Sequence, residues 1–154
     1  MADIGLYWDD TNQCVDWKWT TKIINGVEVT DIDTDNDLES YLILRLFTNR
    51  RAQSSWTTTA NKEGWWYDAL DEQGQTGSRL WQLWYLPVTD KAAYEARAND
   101  FVREALQVMI EDKIADTIDI SCTLQGTKQL HISITVTKAR DSQSFSYIWS
   151  TTKQ

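Results

Sequence analysis

Two stretches of this chain alternate strictly between apolar and polar side chains. Ile118, Ile120, Cys122 and Leu124 interleave with Thr117, Asp119, Ser121 and Thr123, and after Gln125-Gly126 the same order returns as Leu130, Ile132, Ile134 and Val136. Successive strand residues point to opposite faces, so each run has one apolar face, and a short turn between them makes an antiparallel pair with a single buried side. A third run around Phe145, Tyr147 and Trp149 extends the pair to a meander. The apolar face then needs a cover. Just upstream, Tyr94, Ala98, Phe101, Val102, Ala105, Leu106, Met109 and Ile110 recur at three- and four-residue spacing, with Lys91, Glu95, Arg103 and Glu104 on the other side. That is the stripe of a long amphipathic helix, and Thr89-Asp90 supplies its start.

The first half of the chain reads differently. Ile4, Leu6 and Trp8, then Val15, Trp17 and Trp19, alternate about a DDTNQ turn, and KIINGVEV places Asn25-Gly26 where a two-residue hairpin turn needs positive φ. Asn36 followed by Glu39 gives a capping box ahead of LESYLILRLF. The apolar residues Leu38, Tyr41, Leu42, Ile43, Leu44, Leu46 and Phe47 spread round most of that helix, which is therefore expected to be buried nearly all round. From Thr48 to Pro87 the period fails, and only RLWQLWYL reads as an ordered short strand or helix turn. The fold class is α+β: one domain over residues 1–154, with an acidic hairpin region at 1–35. Two main helices pack on a small antiparallel meander in a helix-loop-helix-meander body at 36–154.

Charge narrows the function. Residues 1–40 hold ten acids against Lys18 and Lys22, a net −8 that equals the net charge of the whole chain, while the other thirteen bases and thirteen acids cancel. Phosphate neutralisation needs clustered Lys and Arg, so nucleic acid is not the expected partner. No apolar run reaches the length of a membrane span, and the first residues lack the pattern of a signal peptide, so a cytosolic protein without membrane contact is expected. Cys14 and Cys122 stand far apart, without a CxxC or a neighbouring His, and read as free buried thiols.

No motif commits the chain to chemistry. Asp31, Asp33 and Asp35 match the first ligand positions of a calcium loop, but Asn36 stands where that loop needs Gly, and Leu42 where it needs Glu. The acidic run reads instead as a lead-in to a helix N-terminus. His131, the only histidine, falls on the polar face of the second meander strand with no nucleophile motif beside it. Glu63, Asp68, Asp71 and Glu72 flank Trp65 and Trp66, which leaves a carbohydrate-binding or peptidoglycan-cleaving domain as the rival reading. Arg50-Arg51 suits a helix C-terminus, and Arg79 can bridge to a loop carboxylate such as Asp68. No catalytic residue, metal site or cofactor is expected.

Taken in order, LESYLILRLFTNRRA, EGWWYDALDEQGQTGSRLWQLWYLP, ANDFVREALQVMIEDKIADTIDI and FSYIW resemble the Mu-like bacteriophage tail baseplate family, over about residues 3 to 150. The most specific parts are LFTNRRA, GWW with its following Asp, and GSRLW. The resemblance implies a non-enzymatic virion protein of the wedge and sheath-initiator kind, made in a bacterial host cytoplasm and located in the tail baseplate. Its implied partners are other baseplate proteins and the tail sheath, in an assembly where it is oligomeric, although monomeric alone. Wider relatives carry a Glu-Pro-Arg contact turn after the long helix. Here Glu111 is kept while Asp112 and Lys113 replace Pro and Arg, so only the location, Glu111 to Ile114, carries over. Such relatives also pair a sheet edge with sheath, and SFSYIWSTTKQ, with Phe145, Tyr147, Ile148 and Trp149, is the matching edge; its last ten residues are expected to fray.

Nine tryptophans exceed what one small interior holds fully buried. Trp81 and Trp84 are assigned to pinning the loop on the core, and Trp65 and Trp66 to that task or to a partner surface. The candidate partner-contact set is Trp65, Trp66, Arg79, Trp81, Glu111, Lys113 and Ile114.

Overall fold

A computed structural model describes residues 4–34, 37–69 and 76–153. Its elements run β1 (Leu6–Asp9), β2 (Cys14–Trp17), β3 (Trp19–Ile24), β4 (Val27–Ile32), α1 (Asp37–Phe47), two 3-10 helices (Trp66–Ala69 and Leu80–Tyr85), α2 (Lys91–Glu111), β5 (Thr117–Gln125), β6 (Gln129–Lys138) and β7 (Asp141–Ser150). This is the α+β architecture expected, with small antiparallel sheets and N-terminal hairpins. Contacts divide the chain into two compact units, 1–44 and 45–154.

The first unit holds two hairpins, β1 with β2 and β3 with β4. Asn25 (φ 53°) and Gly26 (φ 78°) form the left-handed turn that Asn-Gly predicts. Trp19 belongs to β3, pairing with Ile32, and not to the first hairpin. Three main-chain bonds tie the hairpin bases together: Gly5 N–H to the Asp33 carbonyl (2.6 Å), Lys18 N–H to Gly5 (2.8 Å) and Asp33 N–H to Lys18 (2.7 Å). A Cβ at position 5 would stand 2.6 Å from the Asp33 carbonyl oxygen, so this approach requires glycine. Ser40 fastens α1 to the same base, its hydroxyl accepting from Leu6 N–H at 2.9 Å. Leu42 and Ile43 are wholly buried but Leu44 is 48% exposed, so α1 is not covered all round. Asp35 and Asn36, from the calcium-loop and capping readings, lie outside the described residues.

In the second unit α2 lies on β5 and against the second 3-10 helix. Asp90 caps α2 as expected, its carboxylate accepting from the Ala92 and Ala93 N–H groups. The meander order is β5-β6-β7, with Ile120 opposite Ile134 and Ile132 opposite Tyr147. Leu130, Ile132, Ile134 and Val136 of β6 are buried, as are Tyr94, Ala98, Val102, Ala105, Leu106 and Met109 of α2. Two periods, 2 and 3.6, thus meet in one core, each large aliphatic side chain contributing about 1.5–3 kcal/mol on burial. Cys122 is buried as expected, but Cys14 is exposed, because β2 presents every side chain to water. Among the described residues no helix is long and apolar enough to cross a membrane.

Candidate functional site

The glycine-rich loop splits into an exposed part and an interior one. Glu63 (φ 52°) and Gly64 (φ 121°) turn the chain so that Trp65 and Trp66 project outward, 38% and 73% exposed, with ring centroids 5.7 Å apart. Their neighbouring carboxylates are engaged. Glu63 accepts from Asn49 Nδ2 at 3.4 Å and lies 4.0 Å from Lys153 Nζ, while Asp68 Oδ1 accepts from Thr76 N–H at 3.3 Å. Asp71 and Glu72 fall outside the described residues.

Trp81 pins the loop on the core, as one of its two expected roles required, and so is no contact residue; Arg79, expected as a contact, is interior as well. Leu80, Trp81, Gln82 and Leu83 are buried on successive positions of a 3-10 helix, and only its last residue, Tyr85, is exposed. Trp81 is 2% exposed, donates its indole N–H to the Arg50 carbonyl at 2.8 Å and packs edge-on to Trp56 and Tyr85. Arg79 is 8% exposed, and its Nη2 lies 2.5 Å from Glu104 Oε1, with Arg50 Nη1 3.5 Å from the same oxygen. The bridge thus goes to α2 rather than to Asp68. Burial, against the pull of Glu104, lowers the pKa of the Arg50 guanidinium. Glu104 was missed because its sequence position puts it on the solvent side of α2. It borders Ala105 on the apolar stripe, and that adjacency is the available signal.

Arg45, Arg50, Asp100, Arg103, Glu104 and Glu111 line a cavity of about 660 Å³ beside α2. Glu111 is exposed at its mouth, at the end of the helix. Lys113 (φ 57°) then takes the left-handed conformation that stops α2, its N–H donating to Ile110 at 3.1 Å and its carbonyl accepting from Lys138 Nζ at 3.0 Å. Half-buried Ile114 donates back to Met109 at 2.8 Å. The turn is thus hydrogen-bonded through its main chain, with the side chains of Glu111 and Lys113 exposed.

β7 lies at one edge of the meander. Thr151 N–H donates to the Lys128 carbonyl at 3.0 Å, continuing the register that sets Gln129 opposite Ser150. Opposed pairs that exchange main-chain bonds alternate with pairs that do not. Trp149, Tyr147 and Phe145 therefore direct their peptide groups to β6, whereas those of Ser142, Ser144 and Ser146 point away from it. The end of the strand carries contacts beyond the sheet: Trp84 stacks on Trp149, its indole N–H donates to the Ser150 carbonyl at 2.9 Å, and the Thr151 hydroxyl donates to Thr127 at 2.8 Å. Tyr147 and Trp149 are buried, Phe145 and Ile148 half-buried. His131 lies on the face expected and is half-buried. Among the described residues no group of His, Cys, Asp and Glu is placed to hold a metal ion.

The sequence has relatives among known phage proteins. A model of the family described as phage protein GP46 matches residues 38–143, from the start of α1 into β7. The chain belongs to the phage protein GP46 family. Within it, the baseplate protein gp46 of Escherichia phage Mu is 31% identical over 113 residues, covering 69% of this chain and 74% of the Mu protein. The Mu-like prophage FluMu protein gp46 of Haemophilus influenzae is 25% identical over 120 residues, covering 78% of this chain and 75% of the relative. The Mu-like baseplate resemblance seen in the sequence is thus borne out. The stretch matched to the GP46 family begins at Leu38, after β4.

Proposed function

We propose that this chain is a structural component of a phage or prophage tail baseplate that works by docking, as a wedge-type protein that anchors or initiates the sheath. The baseplate role follows from its family and its relatives in Mu and a Mu-like prophage. The finer reading, with both units acting as one non-enzymatic component beside other baseplate proteins and sheath in the virion, rests on one observation. The outer edge of β7 turns the peptide groups of Ser142, Ser144 and Ser146 away from the sheet, which suits addition of a strand from a partner. Trp65, Trp66 and the Glu111 to Ile114 turn are proposed as secondary contacts. The rival carbohydrate-binding or peptidoglycan-cleaving reading draws no support from the relatives.

Ser146→Pro tests the edge. Proline on an outward-directed edge position removes a donor that the sheet itself does not use. The variant is expected to melt close to the parent and to give baseplates without sheath in a complementation assay. Normal sheathed tails from a folded Ser146→Pro protein would rule out the β7 edge as the docking strand.

A further inference from the structure

Each face of the β3–β4 ribbon carries three apolar side chains beside three polar ones, Thr21, Glu28 and Thr30 on one and Thr20, Lys22 and Asp31 on the other. Its register places Trp19 and Ile23 with Ile32 on one side, and Ile24 with Val27 and Val29 on the other. Ile23 is 79% exposed, Val27 62%, Trp19 57% and Ile24 51%. Two strands alone are marginally stable in water, and a solvated antiparallel sheet ordinarily keeps at least one face polar. This ribbon nonetheless has a fixed base, held by the bonds among Gly5, Lys18 and Asp33, with its apolar tip about 20 Å away. A ribbon with apolar side chains on one face is covered by a flat surface. A ribbon with them on two is desolvated only by a cleft that closes over both.

We propose that β3–β4 is an insertion arm that seats in an apolar cleft on a different protein, one whose rim carries Lys and Arg. The rim is specified by charge. Residues 1–40 carry the whole net −8, and Glu28 and Asp31 lie exposed on the ribbon itself, where Lys22, 3.7 Å from Asp31, is the only base in either strand. An anionic lipid surface repels such an arm. A second copy carries the same net −8, which opposes its approach to the arm. The arm lies outside the stretch matched to the family, which begins after β4. The inference rests on the baseplate reading only in where the partner is sought.

A photoreactive benzoylphenylalanine in place of Ile24, with Ala96 as the control position, is assembled into tails, irradiated and mapped by mass spectrometry. An adduct from position 24 to another tail protein, on an apolar segment flanked by Lys or Arg, and none from position 96, is the expected result. In parallel, Ile23→Ser with Val27→Ser should lower incorporation into tails about ten-fold or more, since burial of two aliphatic side chains is lost. Its melting point should stay near that of the parent, because both side chains face water. Adducts to another copy of this chain or to lipid, or a chain present in tails without any adduct, would overturn the arm while leaving the baseplate role standing. Absence of the chain from purified tails would overturn both.

Discussion

Trp84 lies flat on Trp149, with ring centroids 5.3 Å apart and 8° between the planes. The same indole donates to the Ser150 carbonyl, so one side chain from a 3-10 helix holds the end of β7 by a stack and a hydrogen bond. Trp84→Ala should cost about 2–3 kcal/mol in urea denaturation and speed amide exchange at residues 149–151. Unchanged exchange there would mean that β6 alone holds the strand.

Glu104 joins two arginines across the chain. Removing its charge leaves Arg79 buried opposite a neutral amide, but Glu104 is about a third exposed and water screens part of the loss. Glu104→Gln is therefore expected to destabilise by about 1–2 kcal/mol, measured as a lower urea midpoint with unchanged slope. A variant as stable as the parent would show that the cluster contributes nothing net.

Gly77 stands at φ 98°, where a Cβ would overlap the Thr48 carbonyl, and the next residue, Ser78, exchanges main-chain bonds with Thr48 and Arg50. Gly77→Ala should lower stability by about 2–4 kcal/mol, through strain and loss of that bridge. Thermal melts of Gly77→Ala beside Gly126→Ala make the comparison. Position 126 has open space around it, so only the φ penalty is expected there.

The two thiols should differ in native protein. Burial first, and the nearby Glu95 second, push Cys122 up to about 12 from an ordinary 9.0, and burial raises Tyr94 to about 12 from 10.0. At pH 8 a thiol reagent should label Cys14 alone, and both cysteines only in denaturant. Both groups bind their protons more tightly folded than unfolded. Their stabilisation is complete below the ordinary values and is lost as pH rises from about 9 through 12, so the melting point should fall steadily over that window. A melting point flat from pH 9 to 11 would contradict the buried environment of both groups.

Patterns with a fixed period were legible in the sequence. The alternation in β5 and β6, the stripe of α2 and the Asn25-Gly26 turn each state their geometry locally, because the period or the positive φ leaves one solution. Leu80 to Leu83 carried no such signal: a short 3-10 helix buried on four successive residues has neither period. For Trp81 composition left both a core and a contact role open, since tryptophan suits either, and its place is decided by Arg50, 31 positions away. The Arg79–Glu104 pair is set by how α2 crosses the loop, and nothing within either segment encodes it. Exposure of Leu44 and of the β3–β4 tip was hidden for the opposite reason: apolar residues read as core wherever they fall.

The bond from Trp84 to Ser150 spans 66 positions of chain. A ribosome adds roughly 5–20 residues per second, so the indole waits several seconds, unstacked, for its acceptor to be made. A copy whose translation stops before residue 149 never supplies the ring or the carbonyl. Its Trp84 stays uncovered, a mark that chaperones and proteases can read before the defective copy reaches the assembly line.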